Sequence, residues 1–563
     1  MHPTRITIAL NTNQSQRAPL LLPSSACTDP YSPTSIRKLV LKAAHSKLRI
    51  KKPSRIFVAG SGVELIHEDD WKRGIRNDVS LLISAGEEYV GVNRDAGIHP
   101  EANATCPIRV LASAAAVDKV AISQLETTAH TLPGLVHAVG QPDLHPGTKF
   151  PIGAVFISQG WIHPPLIGGD IGCGMAWYRT RLSREQVEGD KGRKVAEKLR
   201  GLEGVWRTQQ ERERWLVDEE GGCGAGEEWD RSVGTIGAGN HFAEIQVVEE
   251  VKEGCELRGG EVVSWPWSYG VGIMLTLQVL LVHSGSRGLG SNILKKYTSG
   301  GQVSLKEDSA EAREYLYEHD RACRWAKVNR DLIALRFLSC LEPGEPAWSL
   351  GNNRADVADV GDAIPRAKAE LGARRVVDIW HNNVERVKWP PASQAPSTAE
   401  ATNFGAVDSI SSAKHAYIHR KGAAPTQDPS TSIPLPILPL PGSRGTPTLI
   451  LTPQFALSNS YGLSNALSLA HGAGRSMSRA KALTTLSQKY KASSLLEPRG
   501  GTGTWVVCES KDLVFEEAPE AYKDVEAVGE DLVSAGAAKR VGRCIAKVSY
   551  KCRDERGSKG AVG

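Results

Sequence analysis

The sequence lacks paired cysteines, a long apolar run and a strong net charge. Its 10 cysteines are scattered and form no CxxC pair, so neither a disulfide framework nor a zinc ribbon is expected and a reducing compartment is favoured. No apolar run reaches the roughly 18 residues that a transmembrane helix needs, and the N-terminus does not follow the charged-then-apolar order of a secretory signal. A net charge of +5 permits an anionic partner without requiring one.

The bulk composition indicates a globular chain. Of its 563 residues, 40% are apolar and 23% are charged, which suits one large catalytic domain and something smaller. We expect a cytoplasmic protein, with the nucleus as the alternative. The residues up to Val63 are Ser-rich, basic and poor in acids, as in organellar transit peptides, but the same stretch also has the pattern of folded structure.

Residues 1–100 are expected to form a small α/β module. Arg5–Leu10, Arg55–Ala59 and Val79–Ile83 have the composition of strands. Ser35–Leu48 has helical apolar spacing and opens on a serine suited to an N-cap. The helix-to-strand segment is similar to ubiquitin-like or doublecortin-like β-grasp modules. The alternative is an N-terminal extension that packs on the main domain.

Residues 101–563 are expected to form the catalytic domain. From Ile108 onward, short strand-like runs alternate with Gly-rich turns that carry His, Asp, Asn and Arg. Two segments near 388–412 and 422–437 are rich in Pro, Ala, Ser and Thr. Such segments have too little apolar surface to order themselves, so low-complexity insertions are predicted there.

Five segments combine glycine with side chains that bind metals or phosphate. They are Pro142–Gly147, Gly168–Gly174, Gly234–Glu244, Val282–Gly288 and Ala470–Arg475. To these we add Asp378–Asn382, which contains His and Asn but no glycine. In the second segment, Asp170 and Cys173 offer a hard carboxylate and a soft thiolate, which suits a borderline divalent metal such as Mn²⁺, Zn²⁺ or Co²⁺. The alternative is a buried cysteine beside a turn aspartate.

Histidines supply the rest of the candidate chemistry. His241, His283 and His381 lie in Gly- or Asn-rich surroundings, and imidazole is the commonest ligand for such metals, although each one alone could be structural. His471 is followed by Gly-Ala-Gly-Arg475, which could present an imidazole nucleophile to a phosphate held by the guanidinium. A metal-binding histidine in a Gly-rich turn explains the same pattern equally well.

Taken in order, these segments resemble the RtcB family of RNA 3′-phosphate ligases. The resemblance runs from about Ile108 to Lys551 and does not include residues 1 to about 100. It rests on QPDLHPG, GGDIGCGM, GTIGAGNHFAEIQ, LVHSGSRGLG, WHNNVE, HRKGA, PGSRG, AHGAGR and EAPEAYKDVEAV. PDLHPG and HSGSRGLG, together with PGSRG, are most similar to the branch described as release-factor-H-coupled RtcB proteins.

The resemblance implies an α/β (α+β) ligase fold with a deep site for two Mn²⁺ ions, with GTP as the nucleotide and His471 as the residue that is guanylylated. The implied metal ligands are Asp170, Cys173, His241, His283 and His381, with Cys173 bridging. The implied nucleotide-binding residues are Asn240, Glu244, Asn382, Ser443, Thr448, Gly472, Ala473, Gly474 and Lys551. The implied RNA-binding residues are Arg287, Arg475 and Arg479. Thr448 departs from the family, which often has a second serine at this place.

The implied reaction joins an RNA 2′,3′-cyclic phosphate or 3′-phosphate end to a 5′-hydroxyl end, in RNA splicing or repair. Two other functions are open. The first is a two-metal RNA phosphoesterase or cyclic phosphodiesterase without ligation, which would need no covalent nucleotide carrier such as His471. The second is a non-catalytic adaptor, against which the intact set of ligands argues. No membrane partner is expected.

Overall fold

The computed structural model describes residues 4–23, 25–29, 32, 35–59, 62–75, 79–87, 89, 106–251, 278–299, 302–353, 360–391, 414–429, 431–498 and 503–552. The chain divides into two compact units, Met1–Ala102 and Asn103–Gly563. Both mix helices with strands, and the predicted α/β class is confirmed. No helix in these described ranges is long and apolar enough to cross a membrane.

The first unit is a four-stranded sheet with two helices. Its elements are β1 Thr4–Leu10, β2 Asn13–Leu22, α1 Ile36–Lys47, β3 Arg55–Val58, α2 Glu68–Gly74 and β4 Val79–Ser84. The strand order is β2-β1-β4-β3. The central pair β1 and β4 is parallel, and the outer pairs are antiparallel. The predicted strands and the predicted helix are present, whereas β2 and α2 were not predicted.

Helix α1 forms because its apolar residues recur on one face. The Ser35 side chain accepts a hydrogen bond from the backbone N–H of Lys38 at 3.3 Å, as an N-cap should. Val40 and Ala44 are fully buried, one turn apart. They belong to the same apolar core as Ile6 on the sheet. The helix therefore covers one face of the four-stranded sheet.

The second unit contains the remaining elements. Its strands are β5 Ile108–Val110, β6 Leu135–His145, β7 Ile152–Ser158, β8 Trp161–Ile162, β9 Gly174–Arg179, β10 Val217–Asp218, β11 Gly221–Gly222, β12 Phe242–Val251, β13 Gln278–Ser284, β14 Leu305–Lys306, β15 Arg375–Trp380, β16 Asn382–Trp389, β17 Lys414–Lys421, β18 Ala423–Pro425, β19 Leu438–Pro441, β20 Thr448–Pro453, β21 Ser468–Ala470, β22 Trp505–Val507 and β23 Ala538–Tyr550.

Eleven α-helices among the described residues complete this unit. They are α3 Lys119–Thr131, α4 Arg184–Val187, α5 Gly189–Lys198, α6 Gln209–Trp215, α7 Glu227–Asp230, α8 Gly288–Thr298, α9 Ala310–Leu341, α10 Val360–Arg374, α11 Arg479–Lys489, α12 Lys511–Glu516 and α13 Val525–Ser534. Short 3₁₀ helices span Pro164–Leu166, Pro346–Gly351, Leu457–Gly462, Ala492–Leu495 and Pro519–Ala521.

Two sheets organise the second unit. The larger has eight strands, in the order β15-β9-β13-β12-β23-β20-β19, with β22 added to β23. The smaller has five strands, in the order β16-β17-β7-β6-β5. The 32-residue helix α9 shares the largest apolar core with the larger sheet, since Leu332 and Trp325 cluster with Val282 and Ala243. The helix thereby packs against one face of the central strands.

The two predicted low-complexity insertions need correction at their first residues. Strand β16 continues through Trp389, which is buried, so no insertion begins at 388, and residues 392–413 lie outside the described ranges. The segment that was expected to begin at 422 opens with β18, which pairs with β21. Ala423 and Ala424 are both fully buried there. Ladder hydrogen bonds and burial order this segment, although its composition suggests a loop.

Candidate active site

Four neighbouring strands of the larger sheet carry the predicted metal ligands at one end. Cys173 immediately precedes β9, which pairs with β13, and β13 holds His283 near its last residue. His381 follows the last residue of β15, and His241 precedes the first residue of β12. Because these strands are antiparallel neighbours, the register brings together side chains that are far apart in sequence.

The ligand atoms form two groups that share one sulfur. Cys173, His283 and His381 make one group, and Asp170, Cys173 and His241 make the other, with the atoms of each group within 4.8 Å of one another. The Cys173 Sγ lies 3.3 Å from Nε2 of His241 and 3.4 Å from Nε2 of His283. Nε2 of His283 and Nε2 of His381 are 3.2 Å apart. All five predicted ligands therefore converge.

The chemistry of this cluster fits a divalent-metal site. Burial lowers the pKa values of His283 and His381 well below the ordinary range, which keeps both imidazoles neutral, as metal ligands must be. Burial raises the pKa of Cys173 well above its ordinary value, so its thiolate needs a nearby cation. Oδ1 of Asp170 is buried without a hydrogen-bond partner among the described residues. A bound cation would satisfy it.

Helix α9 holds the loops that carry these ligands. Arg330 is fully buried, pairs with Asp378 at 2.7 Å, and donates to the carbonyls of Gly172 and Ser284, each at 3.0 Å. These carbonyls belong to the residue before Cys173 and the residue after His283 on the chain. Sequence reasoning did not single out Arg330, because an arginine inside a helix carries no local sign of burial.

Asn382 connects the metal cluster to the predicted nucleophile. Its side chain accepts from the N–H of Gly422 at 2.8 Å and donates to the carbonyl of Asp170 at 3.3 Å. Gly422 has a φ of +67°, and a Cβ there would lie 2.9 Å from Cε1 of His471. Only glycine fits this position without displacing the histidine. Asn382 thus fixes two loops.

His471 is held by a carboxylate. Its Nδ1 lies 2.8 Å from Oδ2 of Asp143, which is fully buried. The His471 ring lies 4.7 Å from the His381 ring between centroids. With Nδ1 engaged by Asp143, Nε2 is the ring nitrogen available for bonding to another group. Asp143 lies in the motif PDLHPG, whose sequence does not indicate a partner for it.

A cavity opens beside His471. It is lined by His145, Ile152, Asn240, Phe242, Glu244, His283, Pro441, Gly442, Ser443, Arg444, His471, Gly472, Ala473, Gly474, Arg475, Arg479, Tyr522 and Lys551. Most of the residues predicted to bind the nucleotide are therefore together. Asn382 and Thr448, also predicted for the nucleotide, are absent from this lining, and Arg287 lines a second cavity that shares Lys551.

Glu244 forms a buried acidic wall of the cavity. Burial raises its pKa above the ordinary value. Its carboxylate accepts from the Ser549 hydroxyl at 2.8 Å and from the Gln246 amide at 2.9 Å. The same Gln246 amide donates to the Thr448 hydroxyl at 2.9 Å. Thr448 is therefore linked to Glu244 through Gln246 and does not line the cavity itself.

Glu517 organises the cationic side of the cavity. It is fully buried and lies 3.0 Å from Arg475, 3.5 Å from Arg479 and 3.4 Å from Lys551. Burial opposes its charged form, but Lys551 and Arg475 lower its pKa below the ordinary value. Arg475 is thus committed to Glu517, whereas Arg479 keeps about half of its side chain exposed, at 48%. Nothing in the sequence around Glu517 indicated this role, because a glutamate beside a second one is typical of an exposed surface.

Arg287 lies close to the metal loops in a constrained conformation. Its φ is +59°, and its Nε donates to the Thr235 hydroxyl at 3.2 Å. The guanidinium occupies the space beside Gly237, where a Cβ would overlap it. A glycine at 237 is therefore required for this placement of the arginine.

The fold and this site define an α/β protein with a histidine–cysteine–aspartate cluster that could hold a metal, next to a histidine held by a carboxylate. A family model described as "tRNA-splicing ligase RtcB" matches residues 124–220 and 208–551. The chain therefore belongs to the RtcB family and is an RNA ligase, as the motifs predicted.

Three curated relatives agree with this assignment. RNA-splicing ligase RtcB2 of Escherichia coli is 33% identical over 422 residues, which cover 75% of this chain and 89% of the relative. tRNA-splicing ligase RtcB of Methanococcus maripaludis is 26% identical, over 73% of this chain and 87% of the relative. RNA-splicing ligase RtcB homolog 1 of Entamoeba dispar is 28% identical, over 73% and 78%.

Proposed function

We propose that the protein is a GTP- and Mn²⁺-dependent ligase that joins RNA 2′,3′-cyclic phosphate or 3′-phosphate ends to 5′-hydroxyl ends. The observation that carries the proposal is the placement of His471, which is bonded to Asp143 through Nδ1 and lines a cavity next to the metal cluster. A hydrolase could use such a histidine to activate water but would form no covalent nucleotide on it, so guanylylation of His471 distinguishes the two functions.

The proposed first step is nucleophilic attack by Nε2 of His471 on the α-phosphorus of GTP. An N–P bond forms, the bond between the α-phosphorus and the bridging oxygen breaks, and pyrophosphate leaves. Asp143 keeps the ring oriented and stabilises the positive charge that develops on it. The glycines and the alanine after His471 place little side-chain bulk in the path of the phosphate.

In the following steps, the guanylyl group moves from His471 to an RNA 3′-phosphate, and the histidine is released. Where the RNA ends in a 2′,3′-cyclic phosphate, water first opens the ring. The 5′-hydroxyl oxygen then attacks the activated 3′-phosphorus, a phosphodiester forms and GMP leaves. Arg479 and Arg287 are the proposed phosphate contacts on the RNA.

The residues proposed to hold two Mn²⁺ ions are Asp170, Cys173, His241, His283 and His381, with the Cys173 sulfur shared. When bound, divalent ions at this place would polarise phosphate oxygens and offset negative charge. The mixture of thiolate, imidazole and carboxylate favours Mn²⁺ over Mg²⁺. The donor set and its burial support this assignment.

Glu244 is proposed to select guanine. A carboxylate can accept two hydrogen bonds from the N1–H and N2–H edge of guanine, and adenine lacks this pair of donors. Asn240, Ser443 and Lys551 line the same cavity and are proposed to complete the nucleotide site. Thr448 and Asn382 are proposed to act through their support of Glu244 and of the metal loops.

We also propose a biological role and a compartment for the protein, and a fold type for its N-terminal unit. Because the relatives are named for RNA splicing, RNA splicing or repair is proposed for this chain, in the cytoplasm, where scattered free cysteines stay reduced. The assignment to the release-factor-H-coupled branch stays a prediction. The parallel central strands of residues 1–100, with helix α1 packed on their sheet, support a β-grasp module.

The test is incubation with α-labelled GTP and Mn²⁺, followed by denaturing electrophoresis. We expect label on the wild-type chain that is stable to mild base and lost in acid, as a phosphoramidate should be. His471→Ala should carry no label, and His415→Ala, which changes an exposed histidine on β17, should be labelled like wild type. Label on His471→Ala would refute the proposal. Opening of cyclic phosphate ends without joining by the wild-type protein would establish the phosphodiesterase instead.

A further inference from the structure

The first unit has an unusual distribution of charge. Between Asp29 and Glu64 the sequence contains eight Lys or Arg residues and no Asp or Glu. These cations fall on α1, on the loop after it and at the start of β3. The segment is therefore much more basic than the chain as a whole, whose net charge is only +5.

Three of the eight cations have internal partners. Arg37 donates to the carbonyl of Ser54 at 3.1 Å, and Lys47 donates to the carbonyl of Pro19 at 2.8 Å. Arg55 pairs with Glu64 at 2.7 Å. These contacts hold the loop and β2 against the helix.

The other five cations are exposed, and no described carboxylate lies within ion-pair distance of them. They are Lys38, Lys42, Arg49, Lys51 and Lys52, and we call them the basic surface. Lys38 and Lys42 are one helical turn apart, so they project from the same side of α1. The remaining three follow the helix closely along the chain.

The described acidic residues of helix α2 do not neutralise this surface. Glu68 and Asp69 of α2 pair with Lys72 of the same helix, and Asp70 pairs with Arg73. The carboxylates and cations of helix α2 therefore pair with one another. The positive potential of α1 and its loop is left for an external anion.

The described aromatic residues of the unit do not form a platform for stacking bases. Trp71 is fully buried and Phe57 is 2% exposed. Tyr89 packs on Phe57 with ring centroids 5.6 Å apart. A basic surface without exposed aromatic side chains can contact phosphates but offers nothing on which bases can stack. The surface thus fits a nucleic-acid backbone, bound without regard to sequence.

We propose that the basic surface is an accessory site that binds the phosphate backbone of RNA. The proposal rests on the proposed function, since an RNA ligase brings RNA to the protein. It adds a second contact whose role is affinity for the substrate, separate from the chemistry at His471. Binding through it is expected to weaken steeply with salt, because each neutralised phosphate releases counterions.

The test measures the affinity of the full chain for a short RNA duplex with 3′-hydroxyl and 5′-hydroxyl ends, which cannot be joined, over a range of KCl concentrations. Two double variants, Lys38→Gln with Lys42→Gln and Lys51→Gln with Lys52→Gln, should each reduce the slope of log affinity against log salt by about 1.5. The combined variant should reduce it by about 3 and weaken binding at low salt by about tenfold or more.

The matched control is Lys72→Gln with Arg73→Gln, which removes two cations of the same unit that already have partners. It should leave the slope unchanged. An unchanged slope in the combined variant, or an equal loss in the control, would overturn the proposal. So would a combined variant that keeps its RNA affinity and instead loses binding to phosphatidylserine vesicles, because that result assigns the surface to a membrane.

The labelling of His471 by GTP, measured on the same samples, separates the two proposals. Normal labelling with an unchanged salt slope refutes the basic surface and leaves the proposed function intact. Absence of labelling in the wild-type protein refutes the proposed function, whereas the salt slope still decides whether the surface binds RNA. Thermal melting of each variant confirms that it is folded.

Discussion

Nδ1 of His471 lies 2.8 Å from Oδ2 of Asp143, and the two residues are 328 positions apart in the sequence. Asp143 is on β6 of the smaller sheet, and His471 follows β21. Gly474, in the turn after His471, also lies close to Asp143: a Cβ on Gly474 would be only 2.3 Å from the backbone carbonyl oxygen of Asp143. The turn therefore packs directly against the residue that orients His471.

This relationship predicts the effect of Asp143→Asn. The amide keeps the shape but cannot stabilise the positive charge that develops on the ring, so guanylylation by GTP should slow by about 100-fold or more. Joining of RNA that already carries a guanylylated 3′-end should be nearly unchanged, because that step needs no histidine nucleophile. Single-turnover rates of the two steps make the comparison. Equal slowing of both would show that Asp143 serves the fold and not the nucleophile.

Because Cys173 belongs to both ligand groups, the number of Mn²⁺ ions bound should differ between variants of the ligands. Wild-type protein should bind two Mn²⁺ ions, His241→Ala and His381→Ala should each retain one, and Cys173→Ala should retain neither at comparable affinity. Ligation should be lost in Cys173→Ala. Calorimetric titration with Mn²⁺, with circular dichroism as the control for folding, gives the stoichiometry. Two sites of normal affinity in Cys173→Ala, or full activity in Mg²⁺ alone, would contradict the assignment.

The metal ligands could be predicted from sequence, because four of them lie in Gly-rich segments and the fifth, His381, precedes two asparagines. Asp170 and Cys173 also lie close together in the chain. What the sequence could not supply is the strand register that places His283 next to His381, since pairing across the sheet depends on contacts between distant segments. Asp143 shows the same limit, because a single aspartate in a motif does not reveal its partner.

The fold was predictable where local patterns are strong. α1 has an N-cap serine and periodic apolar residues, and both features survive in the structure. β2 was missed because its first half is polar and it contains Pro19, which is unusual in a strand but tolerated at the edge of a sheet. β18 was missed because Ala and Pro are common in loops, and only its pairing with β21 gives it order.

The buried pair of Arg330 and Asp378 predicts a large loss of stability on removal of one partner. Asp378→Ala leaves the guanidinium buried without its counter-charge and should lower the free energy of unfolding by about 3–5 kcal/mol. Because Arg330 also holds the carbonyls beside two metal ligands, Mn²⁺ affinity should fall as well. Denaturant unfolding measures the first effect. Glu68→Ala, which breaks an exposed pair with Lys72, should change stability very little.

Glu244 predicts opposite effects of one substitution on stability and on binding. Burial raises its pKa, so its charged form costs stability above that pKa, and the cost disappears as the pH falls and the carboxyl becomes protonated. Glu244→Gln should therefore melt at a higher temperature than wild type at pH 8, with the difference narrowing as the pH falls through the raised pKa toward the ordinary value of 4.5. The same variant should bind GTP more weakly and discriminate less against ATP. A lower melting temperature at pH 8 would show that the carboxylate is net stabilising.

The division of the chain predicts that the catalytic unit works without the first 102 residues. The cut must come before Pro107, because its carbonyl accepts from Ala138 at 3.0 Å and β5 then pairs with β6. A truncated chain that begins at Asn103 keeps these contacts and the whole metal cluster. It should fold, bind GTP and label His471 at the wild-type rate, while the salt dependence of its RNA affinity falls by about the same amount as in the combined basic-surface variant.

A chain that begins at Leu111 loses β5 and should melt at a lower temperature. If the chain from Asn103 is insoluble or fails to label, the first unit is required for the folding of the second, and its cations then cannot be treated as an accessory site alone.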